Sequence, residues 1–119
     1  MEVGLIIRYG KLVPGREAQA IELFSEASKF YQQKVTEGVL TFFEPFFLRT
    51  SDLEEETGFF IMKGPAPEMF KLMEDERYLW LMMKAEYVVQ HLRADLLTVG
   101  EGIFQQLERA WKVHAELAP

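Results

Sequence analysis

VLTFFEPFFL, residues 39–48, is apolar at odd and even positions alike, and so is VGLIIRY at residues 3–9. The shorter runs 59–62 and 96–99 share this pattern. A strand with one face in water alternates between apolar and polar side chains, whereas continuous apolarity implies that both faces are covered. The first run also contains Pro45, which cannot donate a hydrogen bond to a neighbouring strand. The sequence therefore predicts a sheet covered on both sides, with the second strand at an edge or interrupted by a bulge.

The order of the predicted elements indicates an α+β fold. Between the apolar runs, apolar residues recur every three or four positions, which is the spacing of a helix that packs on one side. Asp75 is predicted to cap a second segment of the long helical region, because its carboxylate can accept from a free backbone N–H. In chain order the predicted elements are a strand at 3–12, a helix at 16–37, a strand at 39–49, a polar turn at 50–57, a strand at 58–63, a helical region at 68–90, a strand within 91–99 and a final helix after 100–102.

The second half of the helical region 68–90 is apolar on two sides. One stripe begins at Tyr78, and the other consists of Trp80, Met83 and Tyr87. A helix that is apolar on two sides needs two neighbours, and the sheet supplies only one. The final helix has an apolar stripe of its own, so we expect it to pack against the second stripe.

Composition and charge narrow the class of protein. The 119 residues fit a single domain spanning 1–119, and a hydrophobic fraction of 49% with 13% aromatic residues is typical of a folded chain. The net charge of −6 disfavours binding to nucleic acid, which requires clustered basic residues. Cysteine is absent, which excludes disulfides, thiolate nucleophiles and cysteine zinc sites.

Neither a membrane nor a metal is an expected partner. The longest nearly continuous apolar stretch, 78–83, is far shorter than the roughly 20 residues that span a bilayer. No basic segment precedes Val3, so the sequence does not indicate a signal peptide, and we expect a cytoplasmic protein. The two histidines, His91 and His114, are far apart and lack metal-ligand spacing, so no metal site is predicted.

The order strand, helix, strand, strand, helix, strand, with an added final helix, resembles the ferredoxin-like arrangement. With doubly apolar strands and a helix entered at Pro14 and Gly15, it resembles the dimeric α/β-barrel superfamily. That resemblance implies a four-stranded antiparallel sheet whose second strand lies at an edge, in agreement with Pro45. It also implies a homodimer in which two sheets pack face to face. The superfamily includes antibiotic-biosynthesis monooxygenases that need no cofactor, haem-binding and haem-degrading enzymes, small lyases and isomerases, and proteins of unknown function.

Three residues are the candidates for catalysis. His91 lies where a buried helix meets the fourth strand, and histidine is a residue type that can accept and release a proton in catalysis. Arg8 and Glu44 are charged residues within otherwise apolar strands, where an unpaired charge is costly. If the protein is an enzyme, Arg8 or a tyrosine hydroxyl holds a substrate oxygen, and His91 or Glu44 moves the proton. Alternatively, the charged strand residues form a structural ion network, which would contain Arg8, Glu44, Lys63, Arg93 and Asp95.

Four aromatic residues are the candidates for substrate binding. They are Tyr9, Tyr78, Trp80 and Tyr87. A tyrosine hydroxyl can donate to a mostly apolar ligand, although aromatic residues at such spacings also serve as packing in the core.

The sequence therefore leads to two hypotheses of different class. The first is a homodimer with a mainly apolar pocket for a small hydrophobic or aromatic molecule, with cofactor-independent monooxygenation as the reaction. The alternative is a non-catalytic module for ligand binding or dimerisation. A third possibility, haem held by a histidine, has less support, because the chain has no asparagine and the haem-degrading branch uses an Asn, Trp and His set.

Overall fold

The chain folds in the predicted order of strands and helices. The computed structural model describes residues 1–49 and 56–118, so most of the polar turn predicted at 50–57, including Glu54 and Glu55, lies outside the described residues. The elements are β1 (Glu2–Tyr9), α1 (Glu17–Thr36), β2 (Phe42–Phe47), β3 (Gly58–Pro65), α2 (Ala66–Glu74), α3 (Glu76–Val88), β4 (Arg93–Thr98) and α4 (Glu101–Leu117).

The four strands form one antiparallel sheet in the order β2-β3-β1-β4. This order confirms the ferredoxin-like α+β fold. It also confirms that the strand with Pro45 lies at an edge, where a missing N–H donor removes no hydrogen bond on its open side. Because residues paired across antiparallel strands point to the same face, the register assigns every strand side chain to one of two faces.

Two strands are shorter than the apolar pattern predicts, because the backbone at one end of each strand has other hydrogen-bond partners. β1 ends at Tyr9 rather than at residue 12, since the Gly10 N–H donates to the Gln90 carbonyl at 2.7 Å. β2 begins at Phe42 rather than at residue 39, since the Leu40 N–H donates to the Lys34 carbonyl at the end of α1. Leu40 is nevertheless fully buried, which explains its apolar character.

Helices α1, α2 and α3 cover one face of the sheet, which we call the inner face. Leu5, Ile7 and Met62 point to this face and are almost completely buried. Full burial of one such side chain contributes about 1.5–3 kcal/mol to folding. The opposite, outer face has no helix against it among the described residues.

The long helical region is divided at Asp75, as predicted. The Asp75 carboxylate accepts a hydrogen bond from the Arg77 N–H at 2.7 Å, which caps the start of α3. On the stripe of α3 that faces the sheet, Tyr78, Leu81 and Val88 are buried.

The expectation that α4 packs against the second stripe of α3 is wrong. No side chain of α4 is buried, and Trp80, Met83 and Tyr87 stay more than half exposed. The turn into α4 contains Gly100 at a φ of 58°, a conformation that favours glycine. Among the described residues, α4 makes no extensive contact with any other helix or strand. The radius of gyration is 16.8 Å, against about 13.5 Å for a compact chain of this length.

None of the helices in residues 1–49 and 56–118 combines the length and apolarity needed to cross a bilayer.

Candidate functional site

A cavity of about 370 Å³ lies between the inner face of the sheet and helices α1 and α3. The cavity is open to solvent near Ile21 and Phe47, which are both more than 60% exposed. The described side chains that line it carry no charge, and most are apolar. They are Ile7, Tyr9, Leu12, Ala20, Ile21, Leu23, Phe24, Ala27, Tyr31, Phe47, Thr57, Phe60, Leu81, Met82, Ala85, Val88, Val89 and Leu92.

Aromatic rings form one wall of this cavity. Phe24 of α1 stacks on Phe47 at the end of β2, with 5.4 Å between ring centroids. Phe60 of β3 contacts Phe24 edge to face at 5.2 Å. Sequence reasoning did not select these three phenylalanines, because their approach depends on how α1 crosses the sheet. The only signal in the sequence was the high aromatic content.

Tyr9 is the principal polar group of the cavity wall. Its hydroxyl is buried and has no hydrogen-bond partner among the described residues, and burial raises its pKa to about 12. Leaving a buried hydroxyl unpaired costs about 1–3 kcal/mol. Because the phenol stays protonated over the physiological pH range, it can act as a hydrogen-bond donor but not as a base.

A glycine makes room for this phenol. Tyr9 pairs with Gly58 across β1 and β3, and a Cβ at Gly58 would lie 2.5 Å from the Tyr9 Oη and 2.6 Å from the carbonyl oxygen of Phe46. Both distances are shorter than any normal contact. Gly58 is therefore required for the position of Tyr9 at this end of the cavity.

The other three predicted substrate-binding residues do not line the cavity. Tyr78 lies in the core, where burial raises its pKa. Burial likewise raises the pKa of Tyr31, and Tyr78 adds a smaller contribution of the same sign. Trp80 and Tyr87 lie on the outside of α3, in a separate groove between α1 and α3.

Arg8 and Glu44, two of the predicted catalytic residues, lie on the outer face of the sheet. The register pairs Glu44 with Ile61, which pairs with Ile6, whereas the cavity residue Ile7 points the other way. Glu44 is exposed. Neither side chain lines the cavity.

Arg8 belongs to a cluster of charges on this outer face. Its Nε lies 3.3 Å from the Glu56 carboxylate, and its Nη1 lies 3.3 Å from the Asp95 carboxylate. Lys63 and Arg93 also point to this face, according to the register. The charged strand residues therefore share one face, which the sequence alone did not establish.

His91, the third predicted catalytic residue, lies beside the cavity. It is exposed and has a φ of 55°, which is uncommon for a residue other than glycine. Its neighbours Val89 and Leu92 both line the cavity. The backbone just before His91 is held in place by a hydrogen bond from the Gln90 N–H to the Lys11 carbonyl at 2.9 Å.

No group of three or more histidine, aspartate or glutamate side chains in the described part of the chain is arranged to bind a metal ion.

Comparisons with known proteins support the fold and leave the activity open. No family model matches the chain, and no curated protein matches its sequence. Among solved structures, the chain is similar to a mutant form of SnoaB, a cofactor-independent oxygenase from Streptomyces nogalater, with 15% identity and a TM-score of 0.61 over 82% of this chain and 92% of SnoaB.

Two further structures have the same fold. One is a dimeric protein of unknown function with a ferredoxin-like fold from Bacteroides fragilis, with 13% identity and a TM-score of 0.59 over 80% of this chain and 93% of that one. The other is a candidate antibiotic biosynthesis monooxygenase from Deinococcus radiodurans, with 10% identity and a TM-score of 0.59 over 84% of this chain and 93% of that one. Identities this low establish a common fold alone, so the predicted resemblance is confirmed at that level.

Proposed function

We propose that this protein binds a small, uncharged hydrophobic or aromatic molecule in the cavity between the sheet and helices α1 and α3. The observation that carries this proposal is the cavity lining, which is apolar apart from Thr57 and two tyrosines. A charged ligand would lose its hydration there without gaining an opposite charge. The volume of about 370 Å³ lies within the range of roughly 300–1,000 Å³ that small-molecule sites occupy.

Tyr9 orients the ligand in this proposal. Its hydroxyl has no partner among the described residues, so a carbonyl or phenol oxygen of the ligand would complete its hydrogen bonding. The hydroxyl has almost no solvent contact, so this oxygen must approach from the cavity side, with a small shift of the ring. The ligand is thus apolar over most of its surface, with one acceptor oxygen at the Gly58 end.

Cofactor-independent monooxygenation is the reaction we propose for this site. Its support is the fold shared with a cofactor-independent oxygenase. In the simplest balanced form, a ring CH2 group and O2 give a C=O group and water, and the substrate supplies all four electrons. Tyr9 would hold a substrate oxygen, and His91 would remove the proton that activates the ring carbon. Arg8 and Glu44 lie on the outer face of the sheet, so they would have no direct role in this reaction.

We also infer that two copies of the chain pair through the outer face of the sheet. This face carries Phe42, Phe46, Phe59 and Ile61, with no helix to cover them among the described residues. A fold neighbour from Bacteroides fragilis is dimeric. Pairing would bury the apolar side chains that make the strands apolar on both faces.

The binding proposal is tested with a neutral fluorescent naphthalene, N-phenyl-1-naphthylamine. Its emission should increase on titration into the protein, and the Ala85→Phe variant, which fills the cavity, should weaken binding at least about tenfold. Ala18→Phe on the exposed side of α1 is the matched control and should bind as the wild type does. Equal affinity in the Ala85→Phe variant and the wild type, with both folded, would refute the proposed site.

A non-catalytic ligand-binding protein is the second candidate. The position of Arg8 and Glu44 away from the cavity favours it, because His91 is then the one predicted proton carrier beside the ligand. Oxygen uptake with a panel of phenols and aromatic ketones, without added flavin or metal, separates the two. Uptake that His91→Ala reduces supports the enzyme, whereas ligand binding without uptake supports the binding protein.

A further inference from the structure

Helix α4 has an apolar face that no other described part of its own chain covers. Ile103, Phe104, Leu107, Trp111 and Leu117 are between 44% and 77% exposed. At 100° per residue these side chains fall on one stripe of the helix, with charged residues on the opposite side. Most of the stability of a helix in a protein comes from packing of its apolar face, so α4 needs a surface to pack against.

An uncovered groove lies on the same molecule, between the outer sides of α1 and α3. It has a volume of about 700 Å³ and a floor that contains Leu23 and Val88. Trp80, Met83 and Tyr87 form its α3 wall and are between 53% and 65% exposed. These three residues are the second apolar stripe of α3, which the sequence pattern indicates should be covered by a neighbour.

The helix and the groove are compatible in size and in charge. The α3 wall of the groove runs from Trp80 to Val88 and is about 12 Å long, so it can hold about two turns of the stripe from Ile103 to Leu117, which is about 21 Å long. His114 is the one ionisable side chain within the stripe, where it contacts Trp111, and its ring can donate to a carboxylate. The α1 wall of the groove supplies two glutamates. Glu26 is already paired with Arg77 and Lys84 of α3, whereas Glu22 has no ion pair in the described part of the chain.

We propose that α4 packs into the groove between α1 and α3 of a second copy of this chain, and that the second copy returns its own α4 to the first. Each chain offers one helix and one groove, so the exchange closes with two-fold symmetry and leaves neither surface open. This contact is separate from the pairing of outer sheet faces and does not depend on a ligand in the cavity.

The connection to α4 favours exchange over packing within one chain. Only Val99 and Gly100 separate β4 from α4, and short hinges favour exchange between copies. β4 ends at Thr98, which pairs with Val3 at the start of β1, whereas the groove lies near the C-terminal half of α3 at the other end of the sheet. Within one chain, α4 would have to reverse sharply at this hinge to reach the groove.

A membrane is a poorer match for α4 than a second copy. The helix contains Glu101, Glu108 and Glu116 against Arg109 and Lys112, so its polar side offers little attraction to anionic lipids. The net charge of −6 on the whole chain opposes such binding.

A disulfide experiment tests the exchange, because the chain has no cysteine of its own. A tagged Met83→Cys chain and an untagged Leu107→Cys chain are co-expressed and oxidised. Exchange predicts a covalent dimer that contains one chain of each kind. Pairing Met83→Cys with Arg109→Cys, on the polar side of α4, is the matched control and should give little of this product. A chain carrying both Met83→Cys and Leu107→Cys reveals packing within one chain as an oxidised monomer.

Tryptophan emission gives an independent measurement, because the two tryptophans lie on the two surfaces in question. The Trp80→Phe variant reports on Trp111, and Trp111→Phe reports on Trp80. In the exchanged dimer, both variants should emit at short wavelength and resist quenching by iodide.

Four outcomes overturn the proposal. In the disulfide experiment they are a disulfide only within the double-cysteine chain, and no disulfide between folded chains. In the emission experiment they are quenchable emission from either tryptophan in a protein that sediments as a dimer, and a blue shift of Trp111 only after addition of anionic phosphatidylserine vesicles. Because none of these measurements involves the cavity, they leave the proposed function untouched.

Discussion

Arg8 and Asp95 pair across β1 and β4 on the outer face of the sheet, with 3.3 Å between Nη1 and Oδ2. Glu56 lies equally close to the other side of the guanidinium. In one chain these groups are partly exposed, so the pairs contribute little to folding, about 0–1 kcal/mol. In a dimer that buries this face, the same charges would leave water together.

The first prediction concerns this cluster. Arg8→Met should change the free energy of unfolding of the monomer by less than about 1 kcal/mol. It should weaken association through the outer face at least about tenfold, because two carboxylates would be buried without their partner. Sedimentation equilibrium measures the association. Lys71→Met, which breaks the exposed pair with Glu68, is the control and should leave association unchanged. Equal association of the Arg8→Met and wild-type chains would argue against a buried outer face.

The second prediction concerns the hydroxyl of Tyr9. Tyr9→Phe removes an unpaired buried group, so the free energy of unfolding should stay the same or increase by up to about 1 kcal/mol. Affinity for an aromatic ketone should fall about 2- to 12-fold, which corresponds to the loss of one hydrogen bond. Isothermal titration with 9-fluorenone measures this loss, and fluorene, which lacks the oxygen, is the control. If Tyr9→Phe weakens the binding of fluorene as much as that of fluorenone, Tyr9 acts by its shape rather than by donating a hydrogen bond.

The third prediction is a loss of stability in alkali. Burial raises the pKa of Tyr9 from 10.0 to about 12, and it raises the pKa values of Tyr31 and Tyr78 as well. Above pH 10 the unfolded chain releases these phenolic protons while the folded chain retains them, so stability decreases as the pH rises from about 10 to 12. Below pH 10 the tyrosines have no such effect. Urea unfolding at several pH values should show a shallower decrease for Tyr9→Phe, and equal slopes would contradict the burial of this phenol.

The fourth prediction concerns the glycine that faces Tyr9. Gly58→Ala should destabilise the fold by about 1–3 kcal/mol, because the added methyl group meets the Tyr9 hydroxyl and the Phe46 carbonyl. Thermal unfolding measures the loss. Combining it with Tyr9→Phe removes the shortest of the three close contacts, the one to the Tyr9 Oη, and leaves those to the Tyr9 ring carbon Cζ and the Phe46 carbonyl oxygen, so it should recover part of the stability. A fully additive double variant would show that the two residues do not interact.

Much of the fold could be predicted from local patterns in the sequence. Apolar spacing indicated the helices, the Asp75 carboxylate marked the start of α3, and Pro45 marked an edge strand. Each of these features is determined by residues that are close in the chain or by a single backbone N–H group. The end of β1 at Tyr9 and the start of β2 at Phe42 were harder to predict, because backbone hydrogen bonds to other elements determine them.

The candidate site was harder to predict, because it depends on sheet register and helix direction. A shift of one residue exchanges the two faces of a strand. The sequence therefore could not establish that Tyr9 faces the cavity while Arg8, its neighbour in the chain, faces away. The direction of α4 could not be predicted from the sequence either, since a hinge at Gly100 permits α4 to pack on its own chain or on another chain.

The most direct test of the central claim is a crystal structure of the protein grown with 9-fluorenone, a neutral aromatic ketone. We expect the ketone in the cavity between the sheet and helices α1 and α3, with its carbonyl oxygen about 2.5–3.0 Å from the Tyr9 Oη. Fluorenone bound only elsewhere, or a cavity closed by its own side chains at a saturating concentration of the ketone, would contradict the claim.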